Sequence, residues 1–164
     1  TLSCFKIIEQ IGTTGCLALA MLNDEGILAG CEGDLQSIFT LLAAKALTGK
    51  AGFMANPSMI NARTNEIILA HCTVGLKQTE KYVIRNHFET ETGIGIQGIL
   101  PTGDVTILKC GGECLDEYYL STGTLTENTN YINMCTGTRQ TGYTCRLFLK
   151  EPVRKSSHSD TRKL

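Results

Sequence analysis

The sequence lacks several features that would assign a chain to a class at once. It has no tryptophan, three prolines and 6% aromatic residues, so its core must be built from aliphatic and cysteine side chains. No excess of one charge exists, with 15 basic against 16 acidic residues, which argues against binding nucleic acid or an anionic membrane. No apolar run approaches the ~20 residues of a membrane span. We therefore expect a soluble protein that binds neither nucleic acid nor membrane.

Markers of secretion are also missing. The sequence has no basic-then-apolar leader, and its one Asn-x-Ser pattern, at Asn56, is blocked by Pro57. Its eight cysteines are scattered through apolar runs, and a chain of 164 residues can fold without covalent staples. Mostly buried, free thiols are therefore expected rather than disulfides. Together these observations favour the cytoplasm.

Residues 1–50 alternate between strand-like and helical patterns. Cys4–Ile8 and Ile27–Cys31 are short apolar runs typical of strands, whereas Leu17–Leu22 and Leu35–Leu47 have apolar residues at helical spacing. Strand, helix, strand, helix is the order of a parallel α/β unit. Two strands cannot make a sheet that is covered on both faces, so this segment is predicted to be the end of a larger, Rossmann-like α/β domain.

From residue 51 to residue 153 the helical spacing disappears and short strand-like runs recur between turn signals. The runs are Gly52–Ala55, Glu66–Cys72, Lys81–Phe88, Gly93–Leu100, Asp104–Cys110, Tyr118–Ser121 and Tyr143–Leu149. This pattern predicts an antiparallel Greek-key β-barrel as a C-terminal domain. Residues 154–164, which are charged and serine-rich, are expected to be a disordered tail. The expected fold class is α+β.

Two glycine-rich motifs are better explained by structure than by ligand binding. Gly93–Gly98 matches G-x-G-x-x-G, but a dinucleotide site needs a helix after the glycines, and here further strand-like runs follow. Cys110 and Cys114 have no second Cys/His pair at zinc-finger spacing. We interpret the first motif as a bent strand and the second as a hairpin loop.

The sequence has three histidines. His71 ends an apolar strand-like run, where a polar side chain would face an edge or a cleft. His87 lies among charged residues, as expected of a surface position, and His158 lies in the predicted tail. Cys72 directly follows His71, but successive residues of a strand face opposite ways, so the two are not expected to form a catalytic dyad.

Glu32 and Asp34 follow the second predicted strand, in the sequence Cys31-Glu32-Gly33-Asp34. Asp34 directly precedes a helical run, which suits an N-cap residue. The same location, just past the end of a parallel strand, is where open α/β sheets bind ligands. Helix cap and ligand site therefore both remain open for Asp34.

Four blocks of the sequence resemble corresponding parts of the L-fucose/L-arabinose isomerase family, and especially proteins described as fucose isomerase-like. They are LNDEGILAGCEGD (Leu22–Asp34), LLAAKALTGKAGFMANP (Leu41–Pro57), EIILAHCTVG (Glu66–Gly75) and HFETETGIGIQGILPTGDVTIL (His87–Leu108). The resemblance implies the C-terminal portion of such a protein, with an α/β middle domain that carries catalytic acids and then an antiparallel β-barrel.

The resemblance also implies a reaction. Family members interconvert an aldose and a ketose with a divalent metal, usually manganese, while a carboxylate moves a proton between C1 and C2 through an enediol. By this resemblance Asp34 would be a metal ligand and acid/base, and His71 would be a metal ligand. Glu32, in the same loop, is a further candidate for catalysis. A monosaccharide substrate, and a homo-oligomer assembled through domains outside this sequence, are implied as well.

The sequence departs from the family at one expected carboxylate. An alignment on Leu22 and Asn23 puts Leu19 where a metal-binding glutamate is expected. The family also has a later histidine, and His158 does not correspond to it. Two hypotheses follow. The chain is the C-terminal fragment of a sugar isomerase-like protein, inactive alone, or it is a non-catalytic carbohydrate-binding or assembly domain that has lost the isomerase activity.

Overall fold

The computed structural model describes residues 1–132 and 141–149, in which three α-helices precede the strands and a short 3-10 helix, Leu76–Gln78, lies among the strands. The helices are α1 (Cys4–Ile11), α2 (Cys16–Asp24) and α3 (Leu35–Thr48). The strands are β1 (Asn56–Asn61), β2 (Glu66–Ala70), β3 (Lys81–Arg85), β4 (Gly95–Ile99), β5 (Gly103–Gly111), β6 (Glu117–Ile132) and β7 (Thr141–Leu149). None of the helices in this described part is long and apolar enough to cross a membrane. The predicted tail, residues 154–164, lies outside the described residues.

Helix α3 confirms the helix predicted over Leu35–Leu47, with one residue more at its C-terminal end. Asp34 caps its first turn, where Oδ1 accepts a hydrogen bond from the backbone N–H of Ser37 at 2.8 Å. Gly49 ends the helix in the left-handed conformation, with φ of 70°, and its N–H donates to the carbonyl of Lys45 at 2.8 Å. Local sequence is therefore enough to define both ends of α3.

The strand predicted at Cys4–Ile8 is wrong, because this segment is the helix α1. Its apolar residues Cys4, Ile7, Ile8 and Ile11 recur at positions i, i+3, i+4 and i+7, which is helical spacing. The five residues Cys4–Ile8 are too few to distinguish helical spacing of apolar residues from the alternation of a strand. Gly12, in the left-handed conformation with φ of 66°, ends the helix.

The strand predicted at Ile27–Cys31 is also wrong, because that segment is an extended connection. The side chain of Asn23 holds it by two hydrogen bonds with the main chain of Ala29, at 2.7 and 2.9 Å. Leu2 adds one backbone bond to Gly30, but no β-ladder develops here within the described residues. The parallel unit is therefore not formed in this part of the chain, and the Rossmann-like domain stays a prediction.

The strands form two antiparallel sheets. Five of them follow the order β1–β2–β7–β6–β5, and β3 pairs with β4 in a separate hairpin. Six of the predicted strand-like runs overlap these strands, whereas Gly52–Ala55 is not a strand and β1 begins only after it. A Cβ at Gly52 would lie 2.9 Å from the Leu41 side chain, so this segment is pressed against α3 instead. As described, the larger sheet is open, with β1 and β5 at its edges, and the Greek-key barrel stays a prediction.

The core is aliphatic and cysteine-rich, as the composition predicts. Leu19, at the position where the family resemblance leads one to expect a glutamate, is buried in a cluster with Cys4, Ala29 and Cys31. A second cluster joins α2 to β4 through Ala20, Val74 and Ile96, and a third forms around Leu125 on β6. Leu19 is thus part of the packing between α1 and α2.

The expectation of free thiols is correct for most of the described cysteines and wrong for one pair. Cys4 and Cys31 form a disulfide, because α1 lies against the extended connection and brings their Cα atoms to 6.2 Å. Cys16, Cys72 and Cys110 are buried free thiols, and Cys114 is an exposed one. The cytoplasmic location stays a prediction.

Candidate functional site

The structure brings together two of the three residues that the sequence proposes for a site. His71 follows β2 and is 3% exposed. Its Nδ1 lies 2.6 Å from the Thr73 hydroxyl, and its Nε2 lies 3.9 Å from Oε1 of Glu32. Nε2 is buried and has no hydrogen-bond partner among the described residues. Buried nitrogen atoms without a hydrogen-bond partner are rare in proteins, and a bound ion or a catalytic role is a common reason for one.

Glu32 reaches this position through an unusual backbone conformation. Its φ is 61°, in the left-handed region that residues other than glycine seldom adopt. Its exposed carboxylate accepts hydrogen bonds from the side-chain amide of Asn56, at 3.3 and 3.4 Å to its two oxygens. The strained turn and the Asn56 contact together hold the carboxylate beside His71.

The environment of His71 favours a neutral ring. Burial lowers the pKa of His71 below its usual value, while the negative charge of Glu32 opposes this shift only in part. At neutral pH the ring therefore retains a nitrogen lone pair, which both a metal ligand and a general base require.

The lowered pKa of His71 predicts that stability falls in mild acid. Below the usual value of 6.5, the unfolded chain takes up a proton at this residue and the folded chain does not, so protonation favours unfolding. The contribution is fully present above pH 6.5 and is lost as the pH falls toward the lower folded-state pKa. Urea unfolding across this range should give a steeper pH dependence for the wild type than for His71→Asn. Equal pH dependence in the two proteins would contradict the assignment.

Asp34 is a helix cap, and both of its carboxylate oxygens have partners. Oδ2 accepts from the Ser37 hydroxyl at 2.6 Å and lies 3.3 Å from Nζ of Lys109 on β5. Partial burial alone would raise the pKa of Asp34, but the hydrogen bonds from Ser37 and the charge of Lys109 outweigh it and lower the pKa. Asp34 thus ties α3 to the sheet, and the structure adds no contact between it and His71.

Removal of the cap should destabilise the fold moderately. We expect Asp34→Ala to reduce the free energy of unfolding by about 1 kcal/mol, because the first turn of α3 loses its side-chain acceptor. Asp34→Asn is the matched control, since asparagine caps helices about as well as aspartate and should retain most of the stability. Denaturant unfolding of both variants measures the difference. A larger loss in Asp34→Asn than in Asp34→Ala would contradict the capping role.

A second cluster lies beside His71, in residues that the sequence did not bring together. The sulfur atoms of Cys16 and Cys72 are 3.4 Å apart, and His87 completes a buried group whose ligand atoms all lie within 4.8 Å of one another. Within the described residues, Glu32, Asp34 and His71 do not form such a compact group of three. No spacing rule could reveal the cluster, because its members are separated by 56 and 15 positions in the sequence.

The two thiols of this cluster have unlike environments. The hydrogen bond between Cys16 and Cys72 lowers the pKa of Cys16 to about 5, even though burial acts in the opposite direction. The same hydrogen bond, together with burial, raises the pKa of Cys72. Cys16 also begins α2, where the helix dipole favours an anion. Cys16 is therefore the more acidic thiol of the pair.

His87 is buried, contrary to the surface position that its charged neighbours suggest. It is 3% exposed, its ring stacks on Phe88 at 5.3 Å between centroids, and its Nδ1 lies 3.2 Å from the Thr90 hydroxyl. Strand β3 ends at Arg85, so the chain is free to turn inward immediately afterwards. Its charged neighbours Arg85 and Glu89 stay exposed, so the local charges do not prevent burial of His87.

The loop after His87 is fastened to the start of α2. Thr14 exchanges hydrogen bonds with the main chain of Ile94, at 2.5 and 2.8 Å. Gly93 has a φ of 72°, and a Cβ there would lie 2.5 Å from the backbone nitrogen of Thr14, so only glycine allows this approach. The glycine run thus docks at Gly93 and forms most of β4 from Gly95 onward, and the next element is the strand β5 rather than the helix of a dinucleotide site.

The same loop supplies a second carboxylate. Glu89 is exposed, but partial burial of its carboxyl raises the pKa of Glu89, and the nearby charge of Glu32 raises it further. The imidazole of His87 acts in the opposite direction. Glu32 and Glu89 are therefore close enough to interact, and sequence reasoning had no signal for this pairing across 57 positions.

One cleft near the helices does not coincide with these residues. A cavity of about 720 Å³ lies between the end of α2 and the large sheet, and Phe53, Lys77, Leu100 and Leu125 are among the residues that line it. None of Glu32, His71 and Cys16 borders it. The chemistry-bearing side chains and the open apolar cleft are thus separate features of the described chain.

Two curated proteins are similar to parts of this chain. A sulfoquinovose isomerase from Alkalicoccus urumqiensis is 22% identical over 108 residues, which are 63% of this chain and 24% of that protein. A sulfoquinovose isomerase from Clostridium sp. (strain MSTE9) is 36% identical over 61 residues, which are 37% of this chain and 14% of that protein. The chain thus spans about a quarter or less of the length of these relatives. No protein-family profile matches the chain, and no solved structure matches it.

Proposed function

We propose that this chain is the C-terminal part of a sugar isomerase-like protein that interconverts an aldose and a ketose. The observation that carries the proposal is the buried Nε2 of His71, which lacks a described hydrogen-bond partner and faces the Glu32 carboxylate at 3.9 Å. The partial similarity to two sulfoquinovose isomerases supports the same reaction class. The finer relation to the L-fucose/L-arabinose isomerases rests on the four resembling sequence blocks.

Aldose–ketose isomerisation requires a base that removes a proton next to a carbonyl and returns it to the neighbouring carbon. In this proposal Glu32 moves the proton, and the neutral His71 helps to bind the sugar. Glu89 provides a second carboxylate close to Glu32. Leu19, where the family resemblance leads one to expect a glutamate, is buried in the core and provides none. The substrate would be a monosaccharide, with sulfoquinovose, L-fucose and L-arabinose as the first sugars to test.

A divalent metal such as Mn²⁺ fits part of this arrangement. The carboxylate oxygens of Glu32 and the unpartnered nitrogen of His71 are the donor types that such an ion accepts. Asp34 fits less well, because Ser37 and Lys109 already occupy its oxygens. When bound, the metal would polarise the two adjacent sugar oxygens. Glu32 and His71 are the residues of this chain that would hold it.

A non-catalytic carbohydrate-binding or assembly domain is the second candidate. It is favoured by Leu19, which packs in the core with Cys4, Ala29 and Cys31 and cannot ligate a metal. In that case the Glu32–His71 pair would bind a sugar without transferring a proton. Homo-oligomerisation through further domains stays a prediction under both candidates.

The full-length protein can distinguish these candidates. It would be incubated in D₂O with each sugar, in the presence of Mn²⁺ or of a chelator, while NMR follows deuterium entry at C2 and formation of the isomeric sugar. Metal-dependent exchange supports the isomerase. Sugar binding without exchange supports the second candidate, and neither binding nor exchange with any of the three sugars would exclude the proposed substrate class.

A further inference from the structure

Three segments that are distant in sequence meet at a buried group of thiols and imidazole. Cys16 begins α2, Cys72 lies two residues after β2, and His87 lies two residues after β3. The three side chains are 0%, 6% and 3% exposed. Their ligand atoms all lie within 4.8 Å of one another, so small side-chain shifts bring all three within reach of a single metal ion.

The donor set differs from that of a sugar isomerase metal. Two sulfur atoms and one imidazole nitrogen are soft or borderline ligands that select Zn²⁺ over Mn²⁺ or Mg²⁺, which prefer oxygen. Zinc binds thiolate, and Cys16 is well placed to be one because it begins a helix, where backbone N–H groups favour an anion. The donor types therefore distinguish this group from the neighbouring Glu32–His71 pair.

The surroundings hold the three ligands in place before any metal binds. The N–H of Ile96 donates to the carbonyl of Cys72 at 3.2 Å, and the Thr90 hydroxyl lies 3.2 Å from Nδ1 of His87. Thr14, two residues before Cys16, fastens the loop that follows His87 through Ile94. Supporting contacts of this kind orient metal ligands and strengthen binding.

We propose that Cys16, Cys72 and His87 form a zinc site that joins α2 to the ends of β2 and β3. Three protein ligands leave one position of a tetrahedral site for water. The ion would cross-link segments that otherwise meet only through packing and hydrogen bonds, so zinc should raise the stability of the reduced protein. This proposal does not depend on whether the protein is an isomerase.

The test uses the full-length protein, reduced and freed of metal, and titrated with Co²⁺ as a spectroscopic probe and then with Zn²⁺. We expect one equivalent of Co²⁺ per chain to bind with a thiolate-to-cobalt charge-transfer band, and Zn²⁺ to abolish the band by displacement. Cys16→Ser and Cys72→Ser should each weaken Co²⁺ binding by more than about 100-fold. Loss of a residue that only orients a metal ligand weakens binding by about 100-fold at most. No band in the reduced wild type would overturn the proposal.

Two controls separate this site from other thiols and from the sugar site. Cys110→Ser removes a different buried free thiol, and Glu32→Gln alters the proposed isomerase residue, so both variants should keep the band. A band that persists in Cys16→Ser and Cys72→Ser would overturn the proposal. X-ray absorption at the zinc edge of the wild type needs no variant: sulfur neighbours at about 2.3 Å support the site, and a shell of oxygen alone excludes it.

Discussion

Under the proposed isomerase function, Glu32→Gln in the full-length protein is expected to lower aldose–ketose turnover by about 100-fold or more, which is the usual contribution of a positioned acid/base. Glutamine has nearly the same shape and can still accept a hydrogen bond from Asn56, but it has no negative charge to face His71 and cannot take up the substrate proton. The loss should therefore be in turnover rather than in folding. Steady-state kinetics on the sugar that the wild type converts measures it.

Three comparisons make this expectation specific to Glu32. Glu9→Gln changes an exposed acid on α1 and should leave turnover unchanged. Asp34→Asn keeps the helix cap, so a large loss of turnover there would show that the acid expected from the family resemblance still takes part. Thermal unfolding of Glu32→Gln should match that of the wild type. Wild-type turnover in Glu32→Gln would remove this residue from the mechanism.

Ile96→Ala is expected to lower the free energy of unfolding by about 2–5 kcal/mol, the range for truncating a large buried side chain. Ile96 is 0% exposed and packs with Ala20 and Val74, so its truncation leaves a cavity between α2 and β4. The backbone N–H of the same residue donates to the carbonyl of Cys72. A cavity here should therefore also loosen the thiol cluster.

The matched control for this prediction is Ile99→Ala. Ile99 lies on the same strand, β4, but is 43% exposed, so its truncation should change stability by about 0.5 kcal/mol at most. Urea unfolding of the two variants and the wild type gives the comparison. An equal loss of unfolding free energy in Ile96→Ala and Ile99→Ala would mean that the packing of Ile96 between α2 and β4 does not stabilise the fold.

Segments with strong local signals were predicted well. Helix α3 has an acid at its start, helical apolar spacing and a glycine at its end, and each of these acts through neighbours in the sequence. Strand runs such as the one that begins at Glu66 were recognised for the same reason. The errors at Cys4–Ile8 and Ile27–Cys31 have a common cause. A short apolar run has too few residues to show whether its spacing is helical or strand-like, so tertiary contacts decide its conformation.

The candidate site was also predicted only in part from the sequence. Glu32, Asp34 and His71 were found in the sequence because they lie at ends of apolar runs, where polar side chains are unusual. Their separation into a carboxylate that faces His71 and a capping acid that contacts Lys109 came only from the structure. A left-handed φ at Glu32 turns its carboxylate toward His71, and the local sequence does not predict this backbone conformation.

By itself the sequence determined the aliphatic, cysteine-rich core, the helix α3 with its two ends, most of the strands and the short list of acids and histidines. These properties depend on composition and on interactions between near neighbours. Only the tertiary structure decided that Cys16, Cys72 and His87 meet, that Leu19 belongs to the core and that His71 faces Glu32. Each of these depends on contacts between distant segments, whose free energy comes from packing the whole chain.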